Sequence, residues 1–341
     1  MRYGYWAPVF GGWLRNVPDE GMEASWDYMS RLVRRSEEIG FDLTLIAELT
    51  MNDTKGRDAP SLDAWSTAAA LAAVTRTIEL MVAVRPNFHQ PALFAKQAAN
   101  IDQIAGGRLA LNVVSSWWAD EATSYGLQFD QHDDRYARTS EWLKVVDGLW
   151  SQPRFSFEGR YYKTENAILE PKPAKRPRPV IYAGGESEAA KALITSQCDA
   201  YVMHGDSPEV IGEKIADMRE RRERAGGPPM QYGMAAYAIV RDSEAEAQRE
   251  VDRITDMGGK PPAGFDNFEQ WLSGTELERE MKIQEYSVTN RGLRPRLIGT
   301  PEQVREKIAA FEAVGLNLLL LQFSPQYEEM ERFSAQVIRG A

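Results

Sequence analysis

Short apolar runs alternate with longer amphipathic segments along most of the chain. The runs at 3–9, 43–47 and 109–114 are nearly continuous in apolar residues, whereas 26–39 and 91–104 place apolar residues three or four positions apart. The first pattern is typical of a strand that is buried on both faces, and the second is typical of an amphipathic helix. The sequence therefore predicts strands and helices in regular alternation.

Eight strands are predicted in this way, with helical patterns between them. This order favours a (β/α)8 barrel, the TIM-barrel fold, with insertions. A doubly wound open sheet is the alternative, but it usually has fewer strands and carries a G-x-G-x-x-G turn after its first strand, which this chain lacks. The predicted strands are 3–9, 43–47, 78–84, 109–114, 180–183, 200–203, 232–240 and 316–322.

Three stretches interrupt the alternation. FSFEGRYYKTE at 155–165 predicts a small hairpin around a Glu-Gly turn, and the proline-rich PKPAKRPRP before the fifth strand predicts a loop. Residues 256–296 fit neither pattern and contain the basic segment NRGLRPR. We expect them to form a mobile, lid-like insertion before the last strand. No linker separates two halves, so residues 1–341 are predicted to be a single domain.

Composition and charge narrow the class of protein. The apolar fraction of 43% and the charged fraction of 26% are ordinary for a globular chain. The net charge of −10 argues against a general nucleic-acid or anionic-membrane binder, and no apolar run is long enough to predict a membrane span. The single cysteine, Cys198, permits no internal disulfide, so a cytoplasmic location is expected. With three histidines besides, a zinc site is hard to assemble, and no metal is predicted.

Polar and aromatic residues follow the ends of the predicted strands, where such barrels carry their active sites. The segment 108–136, RLALNVVSSWWADEATSYGLQFDQHDDRY, shows this most clearly, because Asn112 lies within the strand and Trp117, Trp118 and Glu121 follow it. A mouth rich in aromatic and amide groups suits the binding of a large planar cofactor better than it suits a hydrolytic reaction. The GGES turn at 184–187 begins a helix, whose N–H groups could hold a phosphate.

Several motifs together resemble the bacterial luciferase-like flavin monooxygenases. They are GGRLALNVVSSWW followed by HDDRY, the prolines before the GGES turn, and LIGTPEQV near the C-terminus. The similarity runs with interruptions from about Tyr3 to Ile338, and it is specific in combination. The strongest likeness is to the two-component, FMNH2-dependent branch, which contains alkanesulfonate, dimethylsulfone and pyrimidine monooxygenases.

The resemblance implies a (β/α)8 barrel that binds reduced FMN at its C-terminal mouth. A separate NAD(P)H-dependent reductase would supply the FMNH2, and O2 would be the co-substrate, reacting through a flavin peroxide. A homodimer or homotetramer is expected. The residues that match the family's flavin contacts, or lie in the phosphate turn, are Glu48, Leu49, Asn112, Glu121, Arg135, Tyr136, Gly185 and Ser187.

Further residues are expected to act on the substrate side of the site. We expect Asn112, His204 and Arg291 to take part in catalysis, with Arg291 contributed by the lid. The residues expected to contact the substrate are Trp6, Trp117, Tyr237 and Arg294.

The substrate follows less directly from the resemblance. Alkanesulfonate enzymes place an arginine and a histidine on the seventh strand, where this chain has Ala235 and Tyr237, and GMAAYAIVRDS looks closer to the dimethylsulfone branch. The pyrimidine branch has a threonine where this chain has Ala83. A small organosulfur substrate, a sulfone or an alkanesulfonate, is therefore expected. A deazaflavin-dependent oxidoreductase of the same superfamily and a non-catalytic flavin-binding protein are the alternatives.

Overall fold

Eight parallel strands close into a barrel in the computed structural model of this protein, which describes residues 1–256, 265 and 287–340. Each strand pairs with its neighbours along the chain, and the last pairs with the first, so the predicted (β/α)8 barrel is confirmed. The barrel strands are β1 (Arg2–Ala7), β2 (Leu43–Ile46), β3 (Glu79–Val84), β4 (Leu109–Val113), β7 (Val180–Gly184), β8 (Ala200–Met203), β9 (Gln231–Tyr237) and β12 (Leu318–Gln322). The short strands outside the barrel are β5 (Phe155–Glu158), β6 (Lys163–Ala167), β10 (Ile239–Val240) and β11 (Ile298–Gly299).

Helices surround the barrel, and most of them begin at a residue that can cap them. Ser187, Ser207 and Thr300 each accept a hydrogen bond from a backbone N–H of the first turn, which satisfies a donor that the helix leaves open. The helices are α1 (Trp26–Glu38), α2 (Ala64–Val74), α3 (Pro91–Ala105), α4 (Ala119–Ser124), α5 (His132–Ser151), α6 (Glu188–Gln197), α7 (Pro208–Arg224), α8 (Glu244–Thr255), α9 (Pro301–Ala313) and α10 (Gln326–Phe333).

Side chains that point into the barrel fill its lower part and leave its upper part open. Leu45, Met81 and Tyr182 are fully buried in the central cluster, together with Leu320. Two residues further along β3 and β7, on the same face of each strand, the inward positions are Ala83 and Gly184. The change from bulky to small side chains creates a cavity at the C-terminal ends of the strands.

Two local differences from the predicted elements bear on the site. The predicted strand 232–240 is divided, because β9 ends at Tyr237 and β10 leaves the barrel to pair with β11. The sequence pattern predicts a helix over 138–150, but α5 already begins at His132, with Asp133 and Asp134 in its first turn, where acidic side chains favour a helix N-terminus. The hairpin predicted at 155–165 is confirmed as β5 and β6.

The predicted lid, 256–296, lies largely outside the described residues. Of this segment the structure describes residues 256, 265 and 287–296. None of the helices in the described parts of the chain has the length and apolar character that crossing a membrane requires.

The buried barrel interior predicts a large difference between two aliphatic truncations. Leu320→Ala removes a side chain that is fully buried inside the barrel, and it should lower the free energy of unfolding by about 2–5 kcal/mol. Ile168→Ala is the control, because Ile168 is 58% exposed and should change it by less than about 0.5 kcal/mol. Denaturant titration of both variants measures the difference. Equal losses of the free energy of unfolding would contradict the assignment of Leu320 to the barrel interior.

Candidate active site

A cavity of about 330 Å³ opens at the C-terminal ends of the barrel strands. This volume lies in the range of small-molecule sites, roughly 300–1,000 Å³. The structure brings most of the predicted site residues together around this one space. Those that line it are Trp6, Glu48, Leu49, Asn112, Trp117, Arg135, Tyr136, Gly185, Ser187, His204 and Arg291.

Glu121 does not line the cavity, so the structure does not place it for the direct flavin contact that was expected of it. Its carboxylate is fully buried on α4 and forms a double contact with the guanidinium of Arg85. Its Oε1 also accepts hydrogen bonds from the backbone N–H groups of Thr50 (2.5 Å) and Met51 (3.3 Å). Glu121 therefore holds the loop after β2 from behind, and acts on the cavity through that loop.

Tyr237 and Arg294 also lie away from the cavity, contrary to the substrate contacts expected of them. Tyr237 packs with Leu14 and Val288 in a separate apolar cluster, and its backbone N–H donates to Gly292 O, because the segment after residue 287 covers the end of β9. The guanidinium of Arg294 lies 3.8 Å from the carboxylate of Asp206. From β9, the cavity is lined by Ala235.

The turn between β7 and α6 forms one corner of the cavity. A side chain at Gly184 would lie 2.8 Å from Val202 O, and one at Gly185 would lie 2.6 Å from Ala190 Cβ and 3.2 Å from the hydroxyl of Tyr136. Gly185 also has a φ of 146°, which favours glycine. The two glycines let the backbone pass close to β8 and to Tyr136, respectively, just before the α6 N-terminus, where Ser187 is the cap. This corner supplies the donors that a phosphate needs.

Asn112 presents an amide to the centre of the cavity. Its side chain is 8% exposed, and among the described residues it has no hydrogen-bond partner. A buried amide normally pairs both its donor and its acceptor, since leaving them unpaired costs free energy. The N–H and C=O groups of a flavin ring offer both kinds of partner, so this residue fits such a ring.

Arg291 is a buried guanidinium with little to neutralise it. The residue is 4% exposed and lines the cavity, and its guanidinium has no hydrogen bond within the described parts of the chain. The carboxylate of Glu186 lies 3.9 Å away and is itself bound by the ammonium of Lys214 at 2.9 Å. Burial opposes ionisation of Glu186, but Lys214 and the neighbouring cations outweigh it and lower its pKa. The arrangement favours an anion beside Arg291.

A polar network closes the cavity behind the ends of β2 and β3. Glu48 Oε2 accepts the backbone N–H of Arg85 at 2.7 Å, and Glu48 Oε1 lies 2.6 Å from His89 Nε2. The Arg85 guanidinium stacks 3.8 Å from the ring of Phe88 and bonds to Glu121. Glu48 and Arg85 line the cavity, whereas His89 lies behind them.

The wall after β4 combines aromatic rings with a strained backbone. Trp117 lines the cavity and stacks on the buried Trp118, with ring centroids 5.5 Å apart. Ser116 has a φ of 53°, uncommon for a residue other than glycine, and its carbonyl accepts a hydrogen bond from Arg135 Nη1 at 3.0 Å. Strain of this kind is concentrated at functional sites, because only a well-braced structure maintains it.

The contacts among several lining residues were not predicted from the sequence. Arg85 follows the third predicted strand and is a candidate by that position, but nothing in the sequence pairs it with Glu48 or Glu121. Arg15 and Asp53 form a buried ion pair at the cavity wall and come from two loops without periodic pattern. Their contact depends on how these loops fold over the barrel, which no local signal reports.

Comparison of the sequence with known proteins identifies the family of this chain. The sequence profile described as luciferase-like monooxygenase matches residues 1–318. The FMNH2-dependent dimethylsulfone monooxygenase of Pseudomonas putida is 32% identical over 355 aligned residues, which cover 99% of this chain and 94% of the relative. The enzyme of the same name from Pseudomonas fluorescens (strain Pf0-1) is 33% identical over 356 residues, covering 99% and 93%.

A solved structure shows the same fold at lower sequence identity. Riboflavin lyase (RcaE), determined with modified FMN and riboflavin, superposes with a TM-score of 0.83 at 20% identity, covering 99% of this chain and 90% of that one. The profile match spans most of the chain, and both dimethylsulfone relatives exceed 30% identity over nearly its full length. The chain therefore belongs to the luciferase-like monooxygenase family.

Proposed function

We propose that this protein is a two-component monooxygenase that takes FMNH2 from a separate NAD(P)H-dependent reductase and uses O2 to oxygenate a small organosulfur compound. The single observation that carries the proposal is the cavity itself. It combines the amide of Asn112 and the guanidinium of Arg291, neither of which has a side-chain hydrogen bond among the described residues, with a glycine turn at a helix N-terminus. These are the partners that the ring edge and the phosphate of FMN require.

Each part of the cofactor would meet a different part of the cavity. The ring would lie against Asn112 and the loop at Glu48 and Leu49, and the phosphate would lie at the turn formed by Gly185 and Ser187. Bound reduced FMN would supply the electrons with which O2 is activated. The chain's own residues bind and orient it, and an aromatic wall excludes water. That wall consists of Trp6, Phe10, Trp13 and Trp117.

The substrate proposed first is dimethylsulfone, as in the two Pseudomonas relatives. A sulfone is neutral, so it needs hydrogen-bond donors but no counter-ion, whereas a buried sulfonate needs a cation. The inward position on β9 is Ala235, which offers only a methyl group. His204, which lines the cavity beyond β8, is proposed to contact the substrate or to move a proton there. Assembly as a homodimer or homotetramer and a cytoplasmic location stay predictions.

The activity is tested by supplying the purified protein with FMN, NADH, a flavin reductase and O2. We expect dimethylsulfone to disappear, with loss dependent on each component and faster than for alkanesulfonates of similar size. Substrate loss by gas chromatography and O2 uptake are measured together, and omission of the reductase is the control.

Two outcomes would contradict the proposal and identify its alternatives. Tight binding of oxidised FMN without turnover of any sulfur compound would indicate a non-catalytic flavin-binding protein. Tight binding of a deazaflavin, with weak binding of FMNH2 and no O2 uptake, would indicate a hydride-transfer enzyme.

The proposed phosphate corner predicts a selective effect of Tyr136→Phe. Loss of a hydroxyl that bonds a charged phosphate costs about 1.5–3 kcal/mol, so the dissociation constant for FMN should rise by about tenfold or more. Riboflavin lacks the phosphate, and its affinity should change by less than about twofold. Fluorescence titration measures both ligands. The control is Tyr161→Phe, because the hydroxyl of Tyr161 donates to Asp134 outside the cavity. If Tyr136→Phe weakened the binding of FMN and of riboflavin equally, the assignment of the phosphate corner would be refuted.

The buried guanidinium of Arg291 predicts opposite effects on function and stability. Arg291→Gln removes a buried charge without hydrogen bonds, so the protein should stay as stable or become more stable, while FMN affinity or turnover falls at least about tenfold. Arg222→Gln is the matched control, because the buried Arg222 donates to Pro228 O and Thr195 O. That variant should lose stability and keep its affinity. Denaturation midpoints and FMN titrations measure the stability and the affinity of both variants. A destabilised Arg291→Gln variant with normal FMN affinity would contradict the prediction.

A further inference from the structure

We propose that Glu48 and His89 form a proton path between the cavity and the outside of the barrel. The proposal rests on the proposed function, since it concerns the proton that an oxygenation with reduced flavin consumes. Glu48 was expected only to contact the flavin, and His89 had no expected role. The structure joins them through a contact of 2.6 Å between Glu48 Oε1 and His89 Nε2.

Glu48 forms the inner end of this path. It lines the cavity, and its side chain is 10% exposed. Its two oxygens have different partners, because Oε2 accepts the backbone N–H of Arg85 at 2.7 Å and Oε1 faces His89. The bond from Arg85 fixes the carboxylate, so Oε1 keeps one orientation toward the imidazole.

His89 forms the outer end. Its side chain is 20% exposed, yet the residue does not line the cavity, so its exposed edge faces away from the cavity. The rings of Trp65 and Phe94 pack against the imidazole, and Trp142 Nε1 donates to the backbone carbonyl of His89 at 2.9 Å. This packing holds the imidazole between the carboxylate and the outside.

In the part of the chain that the structure describes, the charged groups in contact with the pair lie on the Glu48 side. Arg85 Nε on β3 lies 3.6 Å from Glu48 Oε2, and Glu121 on α4 pairs with the same guanidinium. The groups on the His89 side from α2, α3 and α5 are neutral aromatic rings. Arg85 and Glu121 therefore compensate each other, and Glu48 is left to pair with His89.

The chemistry of the proposed reaction requires such a path. With reduced FMN bound as its monoanion, the overall reaction would use two electrons from the cofactor, place one oxygen atom of O2 in the substrate and release the other as water. The oxygens, electrons and charges balance only if one proton enters the cavity in each turnover. A cavity that excludes water cannot take this proton directly from solvent. His89 Nε2 gives the proton to Glu48 Oε1, the O–H bond so formed turns from the imidazole to the cavity and releases the proton there, and the imidazole takes another from outside.

An anaerobic pH jump tests the path without turnover. Reduced FMN absorbs differently as the neutral form and as the anion, so stopped-flow absorbance of the bound cofactor reports how fast a proton reaches it. We expect relaxation to be at least tenfold slower in Glu48→Gln and in His89→Gln. The double variant should be no slower than the slower single variant, because both changes break one path. Glu38→Gln, at an exposed ion pair, is the matched control and should relax normally.

The two variants and the affinity for reduced FMN separate the possible results. Glu48→Gln keeps an oxygen for the N–H of Arg85, so it carries the test if His89→Gln does not fold. If the single variants bound reduced FMN normally and relaxed at the unchanged rate, the proton path alone would be overturned. The same would follow if the slowing factors of the two single variants multiplied in the double variant. Failure of the unmodified protein to bind reduced FMN would contradict the proposed function and the path with it.

Discussion

The site depends on a change in side-chain size along the inward faces of the barrel strands. Bulky residues such as Met81 and Tyr182 fill the lower interior, and Ala83 and Gly184 follow them on the same faces. Closure of the barrel satisfies the backbone of every strand, so the small residues leave space without exposing unpaired backbone groups. The row of inward-facing side chains that builds the core therefore ends in a cavity, and the loops after the strands surround this cavity.

Polar groups around this cavity are fixed by contacts behind it. Glu121 does not reach the cavity, but it holds Arg85 and the backbone of Thr50 at the same time. These contacts tie α4 to the ends of β2 and β3, and they place Glu48 at the wall. A low-dielectric interior makes such contacts strong when they are complete, and it makes unpaired groups costly. The side chains of Asn112 and Arg291 are therefore informative, because they have no hydrogen bond among the described residues and a ligand would supply one.

The sequence was sufficient to predict the barrel and the family, and most of the site residues that it predicted line the cavity. Asn112, Ser187 and His204 lie at strand ends, and a barrel brings all strand ends together whatever its detailed packing. The prediction failed where a side chain's direction depends on tertiary contacts. Glu121 lies on a short helix that turns it toward Arg85, and Tyr237 is covered by the segment after residue 287. Neither effect leaves a local pattern, and the buried pair of Arg15 and Asp53 leaves none either.

The balance of charge in the cavity differs from that of the whole chain. The chain carries a net charge of −10, yet four guanidinium groups and three carboxylates of the described residues line the cavity. Arg15 pairs with Asp53, Arg85 bonds to Glu121, and Arg135 donates to the carbonyl of Ser116. The carbonyl that Arg135 contacts is neutral, and Arg291 shares the carboxylate of Glu186 with Lys214, so positive charge remains in excess on this part of the cavity wall. An anionic ligand would be repelled by the net charge of the chain but attracted to this wall, which is why local charge, and not net charge, determines what the cavity binds.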